Sequence, residues 1–213
     1  MASADRQTHP PTCRGPGTLM ANPRPKGHNG LGQLRIIGGE WGSRRLTFPD
    51  APGLRPTPDR VRETLFNWLA PYIAGARVLD VFTGSGALYF EALSRGASMG
   101  LALDSNAAAI ASLRQNLNAL NCTSGQVSQT DALRHLETAT ASPFDVVFLD
   151  PPFHQGLLAS ACNLLESHGW LADTAWIYTE SETPPSTTGL PGSWRLHREK
   201  KAGQVYYALW QRG

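Results

Sequence analysis

From Ala76 onward, short apolar runs alternate with segments whose apolar residues recur at helical spacing. Residues 77–82, 99–104, 126–130, 144–149 and 175–180 read as strands, and residues 194–200 and 204–210 as a hairpin turning at Ala202-Gly203. Helices are expected over 87–95, stopping at Gly96, after Ser105, and over 157–167. The helix after Ser105 has a stripe of Ile110, Leu113, Leu117 and Leu120. Strands alternating with helices imply an α/β fold: a mostly parallel seven-stranded sheet with helices on both faces, whose closing hairpin adds an antiparallel edge. Before this unit, residues 34–57 predict a small N-terminal β-hairpin extension, with strands near Arg35-Ile36-Ile37 and 45–48 and a turn near Gly42. A helix should follow, with Thr57 as N-cap and Pro58 at the first helical position. It should bury Val61, Leu65, Trp68, Leu69 and Tyr72. Residues 1–33 are rich in Pro, Gly, Asn and Thr without apolar periodicity, and read as a disordered tail.

Composition narrows the class. The 213 residues suffice for one well-cored domain plus an appendage, and 41% are hydrophobic. No apolar run approaches membrane-spanning length, and the first residues lack a secretory core, so a cytoplasmic protein is expected. Cys13, Cys122 and Cys162 are isolated in sequence and suggest reduced thiols, with no metal site. The net charge of +2 announces no polyanion partner, but its distribution is uneven. From Arg35 to Glu63 lie Arg35, Arg44, Arg45, Arg55, Arg60 and Arg62 against Glu40, Asp50, Asp59 and Glu63. A second cluster is Arg195, His197, Arg198, Lys200 and Lys201. Both patches fit nucleic-acid contact or solvated surface charge.

Two motifs carry chemistry. Asp80-Val81-Phe82-Thr83-Gly84-Ser85-Gly86 links a strand to a helix, at the edge where open α/β sheets bind ligands. Its glycines allow close backbone approach. Asp104 ends the next strand, where a carboxylate can accept both hydroxyls of a ribose. The dinucleotide fingerprint wants a third glycine where Tyr89 stands, and Asp80 would repel a pyrophosphate. A cation with a ribose and no phosphate, such as S-adenosylmethionine, suits the set better. Asp131, before Ala132, can accept from an adenine amino group or cap a helix.

Asp150-Pro151-Pro152-Phe153 follows the fourth strand on the same rim. The exocyclic amine of a nucleobase is a poor nucleophile, because its lone pair is delocalised into the ring. A carboxylate and a backbone carbonyl, fixed by prolines, can hold its N–H groups so that the lone pair faces an electrophilic methyl. An aromatic ring can stack on the base once it is flipped out.

These motifs resemble those of class I S-adenosylmethionine-dependent amino-methyltransferases, a Rossmann-like fold. The stretches RIIGGEWGSRRL, PGLRPTPDRVRETLFNWLAP, GSGALYFEALSRGA, NLLESHGWLAD and LHREKKAGQVYYALW resemble the family of bacterial 16S rRNA methyltransferases that modify the N2 amine of guanine 966, from about Gln33 onward. The resemblance implies a methyltransferase domain over 58–213, acting as a monomer on the small ribosomal subunit or its late assembly intermediate. Asp80, Thr83, Gly84, Ser85, Gly86 and Asp104 would hold the cofactor, and Asp131 and Ala132 would meet its adenine. Asp150 and Pro151 would orient the amine and Phe153 would stack on the base. Pro152, Arg35, Arg44, Arg45, Arg60 and Arg62 would contact RNA, and residues 55–63 would close over the site. Thr83 stands where the family commonly has Ala, and Asp104-Ser105-Asn106 where it often has Glu-x-Asp. Three other readings remain. A non-catalytic RNA-binding protein would need the basic patches but not both motifs, and an intact Asp150 argues against it. An adenine-N6 methyltransferase shares the acid-proline-proline-aromatic motif but usually carries an added recognition domain. An NAD-dependent oxidoreductase is disfavoured by Tyr89.

Overall fold

The computed structural model describes Met1, residues 30–50, Leu54 and residues 56–213. Most of the expected tail, together with Cys13 and Arg55, lies outside the described residues. A two-stranded antiparallel sheet comes first: β1 (Leu31–Arg35) and β2 (Arg45–Pro49). The main sheet contains β3 (Arg77–Asp80), β4 (Met99–Asp104), β5 (Gly125–Gln129), β6 (Phe144–Leu149), β7 (Leu171–Ser181), β8 (Trp194–Ala202) and β9 (Val205–Arg212). Its order is β5-β4-β3-β6-β7-β9-β8, parallel from β5 to β7, with β9 antiparallel to both β7 and β8. This is the expected mostly parallel seven-stranded sheet.

Alternating strand residues divide between two cores. Val78, Val146, Phe148 and Tyr178 face a cluster with α1 (Asp59–Leu69), α2 (Ala87–Ser94), α3 (Ala107–Ala119) and the small sheet. Leu79, Val147, Leu149 and Ile177 face α4 (Ala132–Thr138) and α5 (Leu157–Ser167). All eight residues of α2 are buried, so its mainly apolar composition is what its position requires.

Several local expectations shift. β1 begins at Leu31, inside the expected tail, because its register places Gly32 opposite Phe48, whose ring covers the glycine. Pro58 rather than Thr57 is the residue before α1. Thr57 is buried, and its backbone carbonyl accepts from Arg62 Nε at 3.1 Å. Tyr72 is partly exposed and stacks on Trp176 at 4.3 Å. α4 was not expected at all.

The small sheet is fastened to the main domain by polar contacts. Glu91, fully buried on α2, accepts from the backbone N–H groups of Ile37 (2.8 Å) and Gly38 (2.9 Å) and from Arg95 Nε (2.8 Å). Ser94 Oγ accepts from Trp41 N–H and donates to the Gly38 carbonyl. Gly39 has φ +77, and a Cβ there would lie 1.9 Å from the Ser94 carbonyl oxygen, so this docking requires glycine. On β2, the Thr47 carbonyl accepts from Ser112 and Asn116 of α3.

Candidate active site

Four neighbouring strands, β4, β3, β6 and β7, each reach the same rim with a carboxylate at or near their ends. These are Asp104, Asp80, Asp150 and Glu180. Asp80 pairs with Phe148, and Leu149 with Thr179, so the next step in register sets Asp150 beside Glu180. Adjacent strands lie about 4.8 Å apart, which crowds these acids. Burial, then the nearby Asp104 charge, pushes the Asp80 carboxyl up to about 8. Burial, then Glu180 and Asp80, holds Asp150 well above the usual carboxylate range. Glu180 is raised by burial, against the lowering effect of the bond from Tyr178 (2.8 Å) and of the Thr57 side chain. A raised folded-state acid favours the neutral form. The Asp80 contribution to stability therefore falls as pH rises from about 4 to about 8, wherever no cation compensates.

The glycine turn is braced for ligand approach. Thr83 donates to the Asp80 carbonyl (2.9 Å), and the Gly84 N–H donates to Asp104 Oδ2 (2.8 Å). Asp104 Oδ1 accepts from the Asn106 N–H (2.8 Å), so each carboxylate oxygen is anchored once and keeps further acceptor capacity. Gly84 and Gly86 have φ of +53 and +82, and a Cβ on Gly86 would strike Leu113 and Phe90. Thr83, Ser85 and Gly86 are buried. Asn106, the departure from the Glu-x-Asp pattern, caps α3 by accepting from the N–H groups of Ala108 and Ala109. Tyr89 fills the space over Gly100 and Gly125 and donates to the Gln126 carbonyl.

Beyond β6, Pro151 is buried, while Pro152 is exposed and Phe153 is 40% exposed. A groove of about 230 Å³ opens beside them, lined by Pro151, Phe153, His154, Glu180, Glu182 and Thr187 among others. His154 has φ +62, and its Nδ1 lies 3.1 Å from Glu182 Oε1. That oxygen makes no hydrogen bond. It is the one buried side-chain polar atom among the described residues without a hydrogen-bond partner.

The remaining expected residues divide. Asp131 is exposed and caps α4 through the Arg134 N–H (2.9 Å), with Ala132 buried behind it. Arg35, Arg45 and Arg60 are exposed. Arg62 is not available to RNA: it is 1% exposed and donates to the Thr57 and Arg35 carbonyls, Asp59 and Glu91. Arg44 donates to the Ala119 carbonyl at the C-terminal end of α3, roughly 20 Å from the rim at 1.5 Å per residue. It therefore serves as a helix-end partner at the opposite end of the strands. Glu180 and Glu182 had not been singled out.

Strand order and rim define a Rossmann-like methyltransferase fold. The solved structure of the Escherichia coli protein yhhF superposes with a TM-score of 0.80 at 52% identity, covering 85% of this chain and 98% of that one. The structure of SMU.776, solved with SAH, shares the fold at 13% identity and a TM-score of 0.66, covering 87% of this chain and 57% of that one. Among curated proteins, ribosomal RNA small subunit methyltransferase D of Escherichia coli K12 is 52% identical over 185 residues, which is 87% of this chain and 93% of the relative. The chain belongs to the family described as Conserved hypothetical protein 95, which matches residues 34–211.

Proposed function

We propose that this protein transfers a methyl group from S-adenosylmethionine to the N2 amine of a guanine in small-subunit ribosomal RNA, the guanine at position 966. The rim fits that cofactor. Asp80 and Asp104 present acceptors to an ammonium, a sulfonium and a ribose, and the buried Asp80 takes part in no ion pair among the described residues. Asp80, Asp104 and the Thr83–Gly86 turn would hold the cofactor, with Asp131 and Ala132 at its adenine. The cofactor supplies the electrophilic methyl.

The observation that carries the choice of guanine is the lining of the groove beside Asp150. Two carboxyl side chains line it, Glu180 and Glu182, and Glu182 Oε1 makes no hydrogen bond. Guanine offers three donors on one edge, the N1–H and two N2–H groups. Adenine offers only two donors there, with an N1 lone pair in place of the N1–H. In this arrangement Asp150 and the Pro151 carbonyl accept the N2–H groups and aim the nitrogen lone pair at the methyl, while Phe153 stacks on the ring. Ionised, Asp150 can then take the proton released after transfer and end as the neutral acid its surroundings favour. The test is to methylate unmodified small subunits with labelled cofactor and map the product. A modified guanine N2 is expected; a modified adenine would promote the rival reading.

Asp80 gives a second measurement. At pH 6.5 its carboxyl is mostly protonated in the free protein and must ionise beside the bound cation. Calorimetry in buffers of different ionisation enthalpy should show release of about one proton on binding. The release should vanish in Asp80→Asn, along with much of the affinity. A buffer-independent enthalpy for the wild type would refute this role.

A further inference from the structure

Among the described residues the outer strand β8 pairs only with β9, and Arg195 to Lys201 are all exposed. This stretch holds Arg195, His197, Arg198, Lys200 and Lys201 against one acid, Glu199. Among the described residues, Arg195, Arg198, Lys200 and Lys201 take no part in any ion pair. The register carries this charge to the rim: Lys200 pairs with Tyr207 and Tyr207 with Glu180, while Lys201 pairs with Tyr206 and Tyr206 with Ser181. Lys200 and Lys201 thus stand two strand spacings, about 10 Å, from Glu180 and Ser181. Aromatic rings interleave with the cations. Lys201 Nζ lies 4.5 Å from the Tyr206 ring centroid, and Lys200 Nζ lies 6.0 Å from that of Trp68.

An edge strand needs charge to resist pairing with other chains, but either sign serves. Here one sign dominates, beside a rim of the opposite sign. We propose that the β8–β9 hairpin is a docking rail for RNA phosphates, holding the strand that flanks a base lodged at Asp150. This rests on the reading of RNA as substrate. The acidic groove would repel a phosphate backbone, so the backbone needs a separate cationic support a short distance away. Contacts of this kind fix position and register rather than base identity.

The test uses the full chain carrying R198Q, K200Q and K201Q together, with binding measured without cofactor. The probes are a protein-free RNA fragment spanning the target and unmodified small subunits. Affinity for both should fall at least tenfold, and the slope of log affinity against log salt should shrink by about two. Cofactor affinity and the unfolding midpoint should not change. Arg44→Gln, at the far end of the strands, should leave RNA binding intact. Unaltered RNA affinity and salt slope in the triple variant would overturn the proposal. Loss confined to subunits would also overturn it, pointing to a ribosomal protein instead. Because binding is read without catalysis, a wild type that binds RNA but transfers no methyl would sink the proposed reaction and leave the rail standing.

Discussion

Asp150→Asn should lower methyl transfer by roughly 10²–10³-fold and leave S-adenosylmethionine affinity within a few-fold of wild type. That loss is the usual size for removing one preorganised polar partner of a reacting group. The amide keeps one acceptor, but it offers a donor where the amine needs acceptance, and it cannot take the released proton. The stability change should run the other way. The folded protein holds the Asp150 carboxyl well above its ordinary range because burial and the neighbouring Glu180 and Asp80 disfavour its charge. A neutral amide escapes that penalty, so the variant should unfold at the same temperature or higher. Wild-type turnover in Asp150→Asn, measured in single-turnover assays on small subunits, would remove Asp150 from the chemistry. A variant that is both inactive and much less stable would mean that the acid is structural.

Arg62→Met should destabilise the fold by about 3–5 kcal/mol, seen as a lower urea midpoint. The guanidinium is buried and satisfies two carbonyls, Thr57 and Arg35, along with the carboxylates of Asp59 (2.6 Å) and Glu91 (3.4 Å). Methionine fills similar space but leaves these acceptors short of donors. Arg62→Lys should recover only part of the loss, because one ammonium cannot reproduce the planar fork. An unchanged midpoint in Arg62→Met would show that Arg95 and the Ile37 and Gly38 N–H groups suffice to hold Glu91. Any loss of RNA affinity should track the fraction unfolded, which separates this residue from the exposed Arg60.

The sheet was legible because its strands are short apolar runs bounded by turn residues, and buried parallel strands have few other ways to be written. α4 escaped because seven residues with two buried positions make no stripe. Arg62 was misread because sequence shows charge without its partners. Glu91, which fixes its place, lies 29 positions away in the chain. Asp80, Asp104 and Asp150 were found as acids ending apolar strands. Glu180 ends Trp-Ile-Tyr-Thr in the same manner, and that signal could have found it too. Glu182 had no such signal, since its role depends on the loop after β7 folding back beside His154. The N-terminal extension was legible as a hairpin, but its attachment was not. That attachment depends on Glu91 and Ser94, which look like ordinary helix residues until α2 is seen to be buried on every side.

The sheet order has a consequence for how the chain is made. β9 lies inside the sheet, between two strands synthesised before it. Until β9 emerges, β7 has an open edge and β8 has no partner, so a nascent chain can assemble β3 to β7 but cannot seal that side. Local folding units form early and non-local pairings late. The strand that closes the sheet also sets the basic hairpin at the rim. A growing chain could therefore form its glycine turn and acidic rim before it acquires any grip on RNA through that hairpin, and a stalled chain would lack the grip altogether.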